Sequence, residues 1–204
     1  MKKIWLGFTF SFLLVLISCG GQTPDNGDNG ENGFVPDEEL SGNIVYQTGF
    51  EDAAAKNSYA LGTMDDGDIE WELDQVLKGN LDGDLKTGSY ALRGRYPGHA
   101  LINESFTGIQ GIAFDAAHAN FAGTGSGNLV VQISVDKETW IGVLALSPQN
   151  QLSRHEVILD YNLFDFDVDA RLYVRFLFGG GEDANGDNTT RINIDNVEIH
   201  GFED

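Results

Sequence analysis

Leu129-Val130-Val131-Gln132-Ile133-Ser134-Val135 and Arg171-Leu172-Tyr173-Val174-Arg175-Phe176-Leu177-Phe178 decide the fold. In the first stretch, Leu129, Val131, Ile133 and Val135 fall on one side of an extended chain, while Gln132 and Ser134 fall on the other. In the second, Leu172, Val174, Phe176 and Phe178 make the apolar row, and Arg171, Tyr173 and Arg175 stand opposite. Successive side chains of a strand alternate faces, so such rows predict strands with one face in a core and one outside. On a helix the same positions would scatter around the circumference.

The same alternation, in short runs separated by Gly, Asp and Asn, predicts further strands at about 44–51, 69–76, 89–95, 99–104, 109–117, 139–146, 154–159 and 190–200. Only 52–57 has the makings of a helical turn. Many short strands with turn-rich connections predict an all-β fold, an antiparallel two-sheet β-sandwich of the jelly-roll kind. Ser134 to Gly142 reads as a hairpin with its tip near Asp136 to Glu138. Trp71, alternating with Ile69 and Leu73, is a core candidate. In the last strand Ile192 and Ile194 point inward, and Val197 and Ile199 do so one residue out of phase. That shift predicts a β-bulge at Asp195-Asn196.

Ahead of the β-rich part, Lys2 and Lys3 precede an apolar run from Ile4 to Ile17 and the small residues Ser18, Cys19, Gly20 and Gly21, the order of an export signal. The run is shorter than the roughly 20 residues that a membrane-spanning helix needs. Leu16-Ile17-Ser18-Cys19 resembles the lipobox of bacterial lipoproteins. The resemblance implies cleavage before Cys19, diacylglycerol on its sulfur, and an extracytoplasmic protein held to a bacterial membrane by that lipid. Cys19 is the sole cysteine, so the domain has no internal disulfide. From Gln22 to Gly42 the chain is rich in Gly, Asn, Asp, Glu and Pro and lacks the apolar residues for a core. The expected organisation is a signal peptide at 1–18, a lipidated N-terminus and flexible acidic tether at 19–43, and the β-sandwich at 44–204.

Acidic residues number 32 against 12 basic ones. Removing residues 1–18 takes away Lys2 and Lys3 and no acid, so the net charge of −20 becomes −22. Such a balance repels nucleic acid and anionic headgroups, and suits solubility or the binding of a cation. No enzyme is expected. His99, His118, His155 and His200 show no metal-ligand spacing. Ser126, between glycines in Gly123-Thr124-Gly125-Ser126-Gly127, lacks the strand-turn-helix setting of a hydrolase nucleophile. Asp183, Asn185 and Asp187 match the first positions of an EF-hand loop. Asn188 then stands where Gly is needed and Ile194 where an acid is needed, so this segment reads as a hairpin loop.

Gly49-Phe50-Glu51-Asp52, Lys86-Thr87-Gly88-Ser89-Tyr90-Ala91-Leu92-Arg93 and Arg191-Ile192-Asn193-Ile194-Asp195-Asn196-Val197-Glu198-Ile199 resemble landmarks of the carbohydrate-binding-module type of jelly roll, the galactose-binding-like fold. The chain is also similar to the non-catalytic β-sandwich of some secreted bacterial endonucleases and surface proteins. The resemblance implies a structural Ca²⁺ held by Glu51, Asp195 and carbonyls around Lys86 to Gly88, with Asp84 as an additional ligand. It also implies a non-catalytic domain that binds a glycan. Sugar sites use exposed rings with polar groups beside them. Tyr96, beside Pro97 and Gly98, and Tyr173, on the polar face of its strand, are the candidate rings, with Arg93 and Arg175 as polar partners. Trp140 is expected to pack. The alternative partner is a surface protein, with the sandwich as a structural or adhesive head. Metabolic labelling with a fatty acid is expected to mark the wild-type protein and not Cys19→Ala; an unlabelled wild type or a labelled variant would overturn the anchor.

Overall fold

The computed structural model describes residues 40–121, 127–164, 166–180 and 190–203, all within the unit Asp37–Asp204. The signal segment, Cys19, the tether up to residue 39 and the loops at 122–126 and 181–189 lie outside the described residues. The elements are β1 (Ile44–Thr48), β2 (Gly62–Asp66), β3 (Ile69–Gly79), β4 (Ala91–Ile102), β5 (Phe106–Thr107), β6 (Ile109–His118), β7 (Gly127–Ser134), β8 (Ile141–Leu146), β9 (Ser153–Ile158), one helical turn α1 (Tyr161–Phe164), β10 (Arg171–Gly180) and β11 (Ile192–Gly201). All the pairings are antiparallel.

One sheet runs β9-β6-β11, and the other runs β8-β7-β10. The long strands β3 and β4 belong to both. Ala91–Gly94 of β4 lies between Val76–Gly79 of β3 and, over Leu92 to Gly94, β11. Gly98–Leu101 lies against β10, while His99 to Ile102 pair with Trp71 to Asp74 of β3. The pair thus turns from one sheet into the other, and the hydrogen-bonded path is continuous from β8 to β9. Gln75 has a left-handed φ of 54° at a register shift, and Tyr96-Pro97 is a cis peptide at the same corner. Gly98 must be glycine, since a Cβ there would lie 2.5 Å from the carbonyl oxygen of Asp74.

The inner faces follow the alternation read from sequence, except that Val135, expected in the β7 row, lies just past the end of that strand and is exposed. Leu129, Val131 and Ile133 of β7, Leu172, Val174, Phe176 and Phe178 of β10, and Ile192, Ile194, Val197 and Ile199 of β11 are all buried. Phe114 of β6 meets Phe176 of β10 edge-on across the core, with ring centroids 5.1 Å apart. Trp71 is fully buried as expected; its Nε1 donates to the Tyr46 hydroxyl, which donates to Asp66. The β11 register shifts between Asp195 and Glu198, and Asn196 has a φ of 46°, which is the bulge that the out-of-phase apolar row required.

Strand β2 was not foreseen, and three further features differ from expectation. The stretches 89–95 and 99–104 are one strand, β4, because the corner keeps its pairing on both sides of Pro97. Residues 52–57 form no helical turn, while Tyr161–Phe164 does. Residues 40–43, assigned to the tether by composition, are held on the sandwich. The N–H groups of Ser41 and Gly42 donate to Gln110 Oε1, and Gly201 N–H donates to the Asn43 carbonyl. These are backbone bonds, to which composition is blind.

Candidate functional site

The expected cation ligands meet around the loop between β3 and β4. Asp84, Asn193, Asp195 and Glu51 each accept backbone N–H groups from it. Leu81 N–H donates to Asp84, Leu85 N–H to Asn193 Oδ1, Thr87 N–H to Asp195 Oδ2 at 2.6 Å, and Ser89 and Tyr90 N–H to Glu51 Oε1. Gly88, at φ 79°, brings the loop so close that a Cβ would fall 2.5 Å from Glu51 Oε1. Where the resemblance led us to expect carbonyls, Thr87, Ser89 and Tyr90 turn N–H donors to the two carboxylates. An N–H dipole is what a carboxylate attracts.

Asp195 is fully buried, and its carboxyl is pushed up to about 6, first by loss of water and then by the nearby charges of Asp115 and Glu51, against the N–H bonds from Thr87 and Asn196. Glu51, on the surface, is held below the ordinary carboxylate range, foremost by the Ser89 N–H. Asp84 is turned away from these two, with both oxygens on Arg93 Nη1 at 3.0 and 3.1 Å. Asp195 and Glu51 are hard oxygen donors of the kind Ca²⁺ takes. Among the described residues no three His, Cys, Asp or Glu side chains converge as metal ligands. A shallow polar cleft of about 270 Å³ lies along Gln47 to Gly49 and Asn196 to Glu198 and has no aromatic side chain in its lining.

The four expected glycan-binding residues do not stand together. Arg93 is buried against Asp84 and the Tyr59 hydroxyl, under the 81–90 loop. Tyr96, 38% exposed, sits at the corner beyond Gly98, which pairs with Phe178 near the far end of β10. Tyr173 lies five residues back along β10 from Phe178, roughly 17 Å at strand spacing. Only Tyr173 and Arg175 share a surface, the outer face of β10.

The β7–β8 hairpin folds over that face. The Arg175 guanidinium lies 4.0 Å from the Trp140 ring centroid, and its Nε donates to Gln132 Oε1 at 2.7 Å. Lys137 Nζ sits 4.4 Å over the Tyr173 ring and donates to the Asn103 carbonyl and Oδ1. Asp136 shapes the tip by accepting N–H groups from Glu138 and Thr139 and the Ser134 hydroxyl. Trp140 is half-buried, with Nε1 on the Lys137 carbonyl. Trp140, expected from sequence to pack, thus stands half-exposed with Lys137 over the buried Gln132, two residues that the sequence did not single out; the signal was its place directly after the turn.

No protein-family model and no curated protein matches the chain. Solved structures similar to it include the K2 cleaved adhesin domain of Lys-gingipain, with a TM-score of 0.45, 15% identity, and 63% of this chain and 82% of that one covered. Others are a family 29 carbohydrate-binding module (TM-score 0.44, 17% identity, 77% and 90% covered) and TmCBM61 in complex with β-1,4-galactotriose (0.42, 9%, 64% and 88%). The fold assignment above stands on the strand pairing itself.

Asp195 has a folded pKa of about 6 against an ordinary 3.8, so its contribution to stability is full below about pH 4 and is lost as pH rises through 6. In metal-free buffer, Asp195→Asn should gain on the wild type between pH 4 and 7.5, by on the order of 2 kcal/mol. Denaturant titrations across that range check this; an offset that stays constant with pH would contradict it.

Proposed function

We propose that this protein is a non-catalytic glycan-binding module, carried outside the cytoplasm on lipid attached to Cys19. The observation behind the reading is the pair of rings, Tyr173 on the outer face of β10 and Trp140 in the β7–β8 connection folded over it, beside the amides of Gln132 and Asn103. Pyranose rings offer apolar C–H faces to such side chains, and their hydroxyl rims suit amide donors and acceptors. Each ring has a cation on one side, which fixes its tilt before a ligand arrives. Pre-ordering of this kind reduces the entropy cost of binding.

A glycan array with wild type, Trp140→Ala and Tyr173→Ala tests this. The wild type should bind, and each variant should lose about tenfold or more in affinity. Absence of binding by the wild type, or equal binding by all three, would overturn the reading in favour of a head that contacts protein.

The junction of the first and last strands is the proposed place for one Ca²⁺, with Glu51 and Asp195 as its carboxylates. Asp84, spent on Arg93, is left out of that set. What supports the ion is a fully buried carboxylate with acids for neighbours, a situation that a divalent cation relieves. Millimolar Ca²⁺ should then raise the melting temperature over an EDTA-treated sample by a few degrees, and should not do so in Asp195→Asn. An unchanged wild type would remove the ion.

A further inference from the structure

We infer that the outer face of β10 holds a subsite for the negatively charged group of an acidic glycan, walled by Arg175, Lys137 and Arg171. The inference rests on the glycan reading above and adds to it the class of sugar. Arg171, Tyr173 and Arg175 alternate onto one face of β10, and the hairpin adds Lys137 over Tyr173. None of the three cations has a carboxylate within ion-pair distance among the described residues, in a chain with 32 acids. Elsewhere Arg93 pairs with Asp84 and Arg154 with Glu198 and Glu156, while Arg95, alone at its corner, is held by the Gln75 amide and the Tyr59 ring; what sets the β10 face apart is that three such cations stand together.

The partners on this face are neutral. Arg175 is held by the Gln132 amide and the Trp140 ring, Lys137 by Asn103 and the Tyr173 ring, and Arg171 by the Ser105 hydroxyl. Such contacts aim a cation without neutralising it. With Nε on Gln132, the guanidinium keeps its two terminal nitrogens for a carboxylate or sulfate, which it grips in bidentate fashion. Arg175 is half-buried, and loss of water pulls its pKa down to about 10, the mark of a charge with nothing nearby to balance it.

Acids do stand near. Glu72 lies on β3, two strands from β10, roughly 10 Å away at strand spacing, while the Glu70 carboxylate reaches closer, bonded to the Asn103 amide that also takes Lys137. Glu70 accepts from Asn103 and Glu72 faces His99. Asp136 is committed to the N–H groups of its own turn. At physiological salt, charges about 8 Å or more away are largely screened, so the overall negative charge does not outweigh cations in direct contact with the ligand.

The discriminating probes are an oligogalacturonate, its methyl ester with the same backbone and no charge, a chondroitin sulfate oligosaccharide and neutral cellohexaose. Calorimetric titrations would use the wild type, Lys137→Gln, Arg175→Gln and Arg175→Lys. The acid form should bind about tenfold or more tighter than the ester. That preference should fall in Lys137→Gln and Arg175→Gln and survive in part in Arg175→Lys. Lys137 is exposed, so its variant keeps the test sharp if Arg175→Gln fails to fold. Tight binding of the sulfated probe alone supports the same inference and identifies sulfate as the group. Equal binding of acid and ester, abolished by Trp140→Ala, would overturn the charged subsite and leave the glycan reading standing. Binding of none of the four would overturn both.

Discussion

Strands β3 and β4 pass from one sheet to the other as a pair, and the rest of the domain is arranged around that turn. The first half of β4 gives its free edge to β11 and the second half gives it to β10, so each sheet is completed by the same two strands. The turn needs a register shift at Gln75, a proline where no ladder N–H is called for, and a glycine that lets Asp74 approach. Once made, it brings Phe176 and Phe178 of β10 opposite Phe114 and Gly94, and closes the core. It also leaves β10 flanked by β7 and β4, with its outer face presented on a central strand. Side chains on such a strand are held more firmly than side chains on a loop.

The acidity of the chain has structural uses beyond solvation. Glu51 and Asp195, with Asn193, tie the loop between β3 and β4 to the sandwich through four N–H bonds, and Asp84, Asp136 and Asp160 accept N–H groups within their own turns. A carboxylate accepting backbone N–H groups stabilises a turn without any apolar contact, which suits a surface loop. The case of Asp195 differs because the carboxylate is buried. Its N–H partners lower its pKa less than burial and the neighbouring acids raise it.

Much of the fold was legible because alternation is a local signal that burial enforces. The rows at 129–133 and 172–178 and the phase shift at Asp195-Asn196 were read directly from residue types. Strand β2, Gly62-Thr-Met-Asp-Asp66, was missed because a short edge strand with one buried residue has no apolar row to show. The continuity of β4 was missed because Pro97 and Gly98 usually end strands, and only the partners on either side show that here they turn one. Of the site, Tyr173 and Arg175 were legible from facing away from the core. Arg93 faces away too, and what separates it from Arg175 is Asp84, which the loop folds back onto it. The grouping of Trp140 and Lys137 with them depends on how a hairpin tip lies over its neighbours, which strand periodicity does not encode.

The amides beside the two cations bear on why this face is positive in a negative protein. Gln132 lies directly across from Arg175 in the β7–β10 register and takes its Nε at 2.7 Å. Glutamate there would have the same shape and a stronger, charge-assisted bond. At Asn103 the amide is called for by its own partners, since Oδ1 accepts from Lys137 while Nδ2 donates to Glu70, which aspartate could not do. Charge pairing alone therefore favours an acid at position 132, and acids are abundant in this chain. With an amide there instead, the geometry is kept and the charge is not cancelled. A half-dry guanidinium carries a desolvation cost that an acid partner would have offset. The Trp140 ring and the Gln132 amide offset part of that cost, and an anion arriving from outside would offset the rest, which is why the unpaired charge on β10 bears on the proposed recognition.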